Sequence, residues 1–153
     1  MQWRHLLGNE VFSSGPGSAW MRGLGKGVSN TAQKRLLVCD DEPAVGRFVE
    51  NVAESLGYDV WITTSGEKLM DVYDDFRPTT ILLDMVMPGV DGNEVIAWLA
   101  KRGCAARLII MTGYHPEYAD HAKILAEYKG LGPALTVRKP FGIEELRAAL
   151  TAA

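Results

Sequence analysis

From Lys34 onward the apolar positions alternate between two periods. Short continuous apolar runs are followed by longer stretches in which apolar residues recur every three to four positions, so strands alternate with amphipathic helices. The first run, RLLVC at Arg35–Cys39, ends on Asp40-Asp41-Glu42-Pro43 and reads as a buried strand entering an acidic loop. Pro43 suits the first turn of a helix, where its missing N–H costs nothing. That helix sets Val45, Phe48, Val49, Val52, Ala53 and Leu56 on one face, and Gly57 ends it. Tyr58–Thr63 is a second strand, and Ser65 caps a helix through about Phe76. Arg77-Pro78 breaks that helix, because the residue before proline is pushed out of the α region. A third strand, Thr79–Asp84, leads through a Pro-Gly turn into a helix from Asp91 to about Arg102, with Val95, Ile96 and Leu99 inward. The fourth strand runs from Ala106 to Met111 and stops at Thr112-Gly113, before a helix from about Glu117 to Lys129. Ala134–Arg138 is a fifth strand entering Lys139-Pro140-Phe141, and Ile143, Leu146, Ala149 and Leu150 form the last helical face.

Five successive βα units predict an α/β fold, a doubly wound parallel sheet with helices on both faces. Residues 1–33 differ from this pattern. Gly8, Gly15, Gly17, Gly23, Gly25 and Gly27 punctuate them and no period persists, so they are expected to form a flexible tail ahead of a domain spanning 34–153.

Composition narrows the function classes. A chain of 153 residues suits one core, and 47% apolar with 23% charged residues is ordinary for a globular protein. A net charge of −3 gives no polyanion signal, so nucleic acid is not an expected partner. No run approaches the roughly 18 apolar residues of a membrane helix, and the N-terminus lacks the apolar stretch of an export signal. Cys39 and Cys104 show neither CxxC spacing nor a histidine cluster, which argues against structural zinc or disulfides and fits a reducing cytoplasm.

The chemistry gathers at strand ends, where ligands collect in such sheets. The stretch ILLDMVMPGVDG, Ile81–Gly92, ends its apolar run on Asp84, expected to face solvent from a rigid strand. A lone aspartate before a turn is often only a turn residue. Here, however, Asp40 and Asp41 end the first strand, Thr112 the fourth and Lys139 the fifth. Two carboxylates about 5 Å apart repel by ~3 kcal/mol at an effective dielectric near 20. Three together need a cation or raised pKa values. Mg²⁺ fits, since it takes one or two carboxylates plus phosphate oxygens and waters. With Lys139 it would clamp a transferring phosphoryl group, with Asp84 as nucleophile and Thr112 hydrogen-bonding a phosphoryl oxygen.

From about Lys34 to Thr151 the chain resembles the receiver domain of two-component response regulators. The resemblance rests on Asp40-Asp41 in LLVCDDEP, Asp84 in LLDMVMPGVDG, Thr112-Gly113 in IIMTG, and Lys139-Pro140-Phe141. It implies a flavodoxin-like sheet of order 2-1-3-4-5, with Asp84 as phosphoacceptor. It also implies that Asp40, Asp41, Asp84 and the Val86 carbonyl hold Mg²⁺, that Thr112 and Lys139 sense the phosphoryl group, and that Lys139-Pro140 is cis. The implied partners are a sensor histidine kinase or phosphotransfer protein and an unknown downstream protein target. The implied catalysis is at most the domain's own phosphorylation and dephosphorylation. Fourteen residues follow Lys139, enough for one helix, so a stand-alone receiver is expected.

The match departs from the family at Thr136, three residues before Lys139, where an aromatic is usual. The family's hydroxyl–aromatic switch is therefore in doubt, and the signal is expected to leave by another route, through Tyr114 or Tyr118. Val86 and Tyr114 would flank the attacking water without orienting it, which predicts slow self-dephosphorylation. Two rivals stand beside this reading. A dehalogenase-like phosphatase would want an acid at Val86, and a phosphorylation-independent interaction module draws support from Thr136. The remaining residues read more plainly: His5, His115 and His121 as surface groups, Met85, Met87, Trp61 and Trp98 as packing, and Glu42 as a helix-capping charge.

Overall fold

A computed structural model describes residues 33–113 and 115–152. The expected tail up to residue 32, with His5, and the proposed roles of Tyr114 lie outside the described residues. Gln33 is already tied to the domain, its side-chain amide donating to Asp59 Oδ2 at 2.7 Å.

The strands are β1 (Arg35–Cys39), β2 (Asp59–Thr63), β3 (Thr80–Asp84), β4 (Arg107–Thr112) and β5 (Leu135–Arg138). The helices are α1 (Pro43–Ser55), α2 (Gly66–Phe76), α3 (Gly92–Lys101), α4 (Pro116–Tyr128) and α5 (Ile143–Thr151). The strands form one parallel sheet in the expected order β2-β1-β3-β4-β5. Element boundaries differ from the sequence expectation by about a residue, the ordinary ambiguity of frayed ends.

Side chains alternate across the strands, and this builds two cores. Leu36, Val38, Leu82, Ile109 and Met111 face one side with Val49, Val52 and Ala53 of α1 and Leu146 and Leu150 of α5. Leu37, Ile81, Leu83, Leu108 and Ile110 face the other, against Leu69, Val72 and Phe76 of α2, Val95, Ile96 and Leu99 of α3, and Ala122 and Ala126 of α4. Central strands covered on both faces need continuous apolar runs, which is why β1, β3 and β4 show no polar alternation. Each Leu or Ile removed wholly from water contributes about 1.5–3 kcal/mol.

Local chemistry sets the helix starts. Ser65 accepts the Lys68 N–H at 3.2 Å, and Asp91 accepts the Glu94 N–H at 2.9 Å. Arg77 leaves α2 in the left-handed region, with φ 52°, ahead of Pro78. Trp61 packs edge-on against Phe76, and Trp98 meets Tyr73 edge to face with the Arg102 guanidinium over its ring, so both indoles are packing groups as expected. Ile143 corrects the reading of α5, because it is 49% exposed rather than part of the buried face. Among the described residues no helix is long and apolar enough to cross a membrane.

Candidate functional site

The carboxyl ends of β1, β3, β4 and β5 open on one cleft of about 740 Å³. Backbone bonds between neighbouring strand ends fix its floor. The Asp40 N–H donates to the Thr63 carbonyl at 3.1 Å, Met85 N–H to Met111 at 3.4 Å, and Lys139 N–H to Thr112 at 2.7 Å. The last of these brings Thr112, 4% exposed, beside the residue that carries the ammonium. Lys139-Pro140 is cis.

The three acids predicted from the sequence come together, with carboxylate oxygens of Asp40, Asp41 and Asp84 within 4.8 Å of one another. Asp40 is fully buried and accepts the Glu42 N–H through Oδ1 at 2.9 Å. Asp84 accepts the Val86 N–H through Oδ1 at 3.2 Å. Lys139 reaches between them, its Nζ 2.5 Å from Asp40 Oδ2 and 3.2 Å from Asp84 Oδ2. The contact with Asp40 is a short ion pair, and it gives the buried Asp40 Oδ2 its charged partner.

The electrostatics follow from this crowding. Burial, then the Asp40 charge, pushes Asp84 up to about 6, while Lys139 and the Val86 N–H pull it down. Burial likewise raises Asp40, against the opposing pull of Lys139 and Glu42 N–H. Burial alone would lower the Lys139 ammonium, but its contact with Asp40 and the charges of both acids outweigh it and hold it above its ordinary value. Under the site, desolvation pushes the Cys39 thiol up to about 12, leaving it an inert core group packed on Met87.

These donors fit a hard cation. All are oxygens, and Lys139 supplies one positive charge against three acids. Mg²⁺ prefers such a set. Asp41 is exposed, so the cluster reaches from the floor to the rim of the cleft.

Four expectations need correction or refinement. Asp84 does not stand in solvent: it is 5% exposed, at a strand end where Met85 and Met87 are buried as well. Glu42 occupies the N-cap position of α1 with no side-chain capping bond, and contributes its N–H to Asp40 instead. His115 is exposed but lines the cleft, with Nδ1 3.4 Å from Glu117 and its ring edge-on to Tyr118. Phe48 and Phe141, read as core and motif residues, also form the apolar wall, with ring centroids 6.0 Å apart. The α1 pattern signals that Phe48 is apolar, and only the fold shows that it sits beside the acids. Thr136 pairs with Ile110 in the ladder and is exposed on the edge strand. Tyr118, 49% exposed, lines the cleft.

Comparison with known proteins places this geometry in context. The family model described as the response regulator receiver domain matches residues 36–151. Sporulation initiation phosphotransferase F of Bacillus subtilis is 31% identical over 117 residues, covering 76% of this chain and 90% of that protein. The alkaline phosphatase synthesis transcriptional regulatory protein PhoP of the same organism is 29% identical over 119 residues, covering 78% of this chain and 48% of the relative. The chain thus spans nearly all of the first relative and about half of the second. Among solved structures, the chemotaxis protein CheY4 of Vibrio cholerae superposes with a TM-score of 0.67 at 21% identity, covering 78% of this chain and 97% of that one. Full-length FixJ from B. japonicum superposes with the same TM-score at 24% identity, covering 78% of this chain and 57% of that one.

Proposed function

The chain belongs to the response regulator receiver domain family, and from that premise we propose that Asp84 accepts a phosphoryl group from a phosphohistidine donor. The observation that carries the proposal is the Asp84 carboxylate on the floor of an open cleft, 3.2 Å from the Lys139 ammonium and clustered with Asp40 and Asp41. In the proposed step an Asp84 oxygen bonds to phosphorus as the bond from phosphorus to the donor imidazole nitrogen breaks. The nitrogen keeps that electron pair, and the donor imidazole is restored. Asp84 reacts as the carboxylate, the form that predominates at neutral pH even with its pKa raised to about 6. Asp40, Asp41, Asp84 and the Val86 carbonyl would hold Mg²⁺, which when bound neutralises charge on the phosphoryl oxygens. Lys139, whose ammonium lies between Asp40 and Asp84, would add a second positive charge beside the phosphoryl group, and the Thr112 hydroxyl would donate to a phosphoryl oxygen.

The donor in this reading is a sensor histidine kinase or phosphotransfer protein in the cytoplasm, and the output is onward transfer or docking on a downstream protein. Onward transfer is supported in this reading by the 31% identity, over 90% of its length, to a relative named as a phosphotransferase. A second reading, a receiver-like module that binds partners without phosphate, is favoured by the exposed Thr136 where the family's switch aromatic is usual.

Intact mass after incubation with a small acyl phosphate separates the two. We expect a phosphoryl adduct that requires Mg²⁺ and is absent in Asp84→Asn. An unmodified mass under every condition would favour the phosphate-independent module.

A further inference from the structure

The loop between β3 and α3 carries the Val86 carbonyl and then runs out into solvent, with Val86, Pro88 and Gly89 exposed. Its inner half is pinned by burial of Met85 and Met87 and by the Gly92 N–H, which donates to the Met85 carbonyl at 3.1 Å. Its outer half meets the first turn of α2. The Val90 N–H donates to Glu67 Oε1 at 3.3 Å. A Cβ on Gly66 would lie 2.7 Å from Val90 Cγ1 and 2.8 Å from the Val90 carbonyl oxygen, so glycine is what allows the two backbones to approach. Gly89 turns the loop with φ 76°, and a Cβ there would meet Glu67 Oε1 at 2.9 Å. The Ser65 cap fixes the turn of α2 that presents Glu67.

We infer that Gly66 and Glu67 are positioning residues for the cation: they hold in place segment 86–91, which carries the Val86 carbonyl assigned above as a ligand. This rests on the proposed function above, in which that cluster binds Mg²⁺. A glutamate in the first turn of a helix is also favoured by the helix dipole. The dipole alone does not require its carboxylate to reach a loop on the other side of a glycine contact. Groups that orient a metal's ligands matter nearly as much as the ligands do. The cation itself makes the role testable, because Mg²⁺ demands near-ideal octahedral geometry whereas Ca²⁺ accepts irregular shells.

Calorimetric titration of MgCl₂ and CaCl₂ into wild type, Glu67→Ala, Glu67→Gln and Gly66→Ala is the test, each variant first shown to be folded. Glu67→Ala is expected to weaken Mg²⁺ binding roughly tenfold and Ca²⁺ binding by less than about threefold. Glu67→Gln keeps an oxygen acceptor for Val90 N–H and should stay within about twofold of wild type for both ions. Gly66→Ala should resemble Glu67→Ala, and if it does not fold, the two Glu67 variants carry the test. Unchanged Mg²⁺ affinity in Glu67→Ala overturns the inference. So does an equal loss in Ala and Gln with both ions falling in parallel, which would mark a simple effect of charge. If the wild type binds neither ion, the cation reading itself falls and the inference with it. If the wild type binds and only the Glu67 comparison fails, the proposed function stands.

Discussion

A carboxylate that is 5% exposed and faces a second buried acid is costly to ionise, and Asp84 expresses this as a pKa raised to about 6 from an ordinary 3.8. The folded state therefore holds the proton more tightly than the unfolded chain. The stability this contributes is fully present below about pH 4 and is lost as pH rises through about 6. At pH 8, without metal, the ionised group costs the fold up to about 3 kcal/mol. Asp84→Asn should accordingly stabilise the metal-free protein by about 2 kcal/mol at pH 8 and by little at pH 4.5, as urea midpoints at the two pH values would reveal. A destabilised variant at pH 8 would mean that the ion pair with Lys139 outweighs desolvation. The identities of Asp40, Asp41, Asp84, Thr112 and Lys139 were legible in the sequence because topology places the carboxyl ends of parallel strands together. The depth of Asp84 was not, since burial at a strand end depends on how the surrounding loops pack, which no local pattern reports. The role of Glu42 was equally hidden, because a backbone N–H donates there and side-chain identity carries no signal of it.

Among the described residues the amphipathic period located the five helices and assigned most inward residues, Val95, Ile96 and Leu99 among them. Ile143 escaped because periodicity fixes an angle around a helix axis and not how far along the helix the packed surface extends. Long-range polar contacts were likewise invisible, and the end of α5 shows one. The Tyr58 hydroxyl and an Arg107 guanidinium nitrogen donate to the Leu150 carbonyl at 2.9 and 2.7 Å, and the other guanidinium nitrogen donates to the Ala152 carbonyl. These carbonyls have no partner within the helix, so the clamp satisfies groups that every helix end leaves open. Tyr58→Phe is expected to cost about 1 kcal/mol and Arg107→Ala about 1.5–3 kcal/mol in urea unfolding, with faster amide exchange along α5. Unchanged midpoints would show that water serves the carbonyls equally well.

At the scale of the described domain, two apolar cores hold a sheet whose strand ends force three acids into one place. The fold supplies the energy to keep them there, and the raised Asp84 and Asp40 are how the metal-free protein eases the cost of desolvation and, after it, of repulsion. A cation bound by the cluster would relieve it differently, competing with the proton on Asp84. Ligand affinity for the native state appears directly as stability, about 2.7 kcal/mol at a concentration one hundred times Kd. Because a metal needs the carboxylate ionised, its apparent affinity must fall as the proton returns. Mg²⁺ should therefore raise the unfolding midpoint strongly at pH 8 and weakly at pH 5, with the change centred near the Asp84 value of about 6. In Asp84→Asn both the size of the gain and its pH dependence should shrink, since Asp40 and Asp41 remain but the titrating ligand does not. Paired thermal melts with and without Mg²⁺ across this range would test the linkage. An equal Mg²⁺ gain at pH 5 and pH 8 would place the ion away from Asp84 and break the connection between cation, strand end and phosphoryl chemistry.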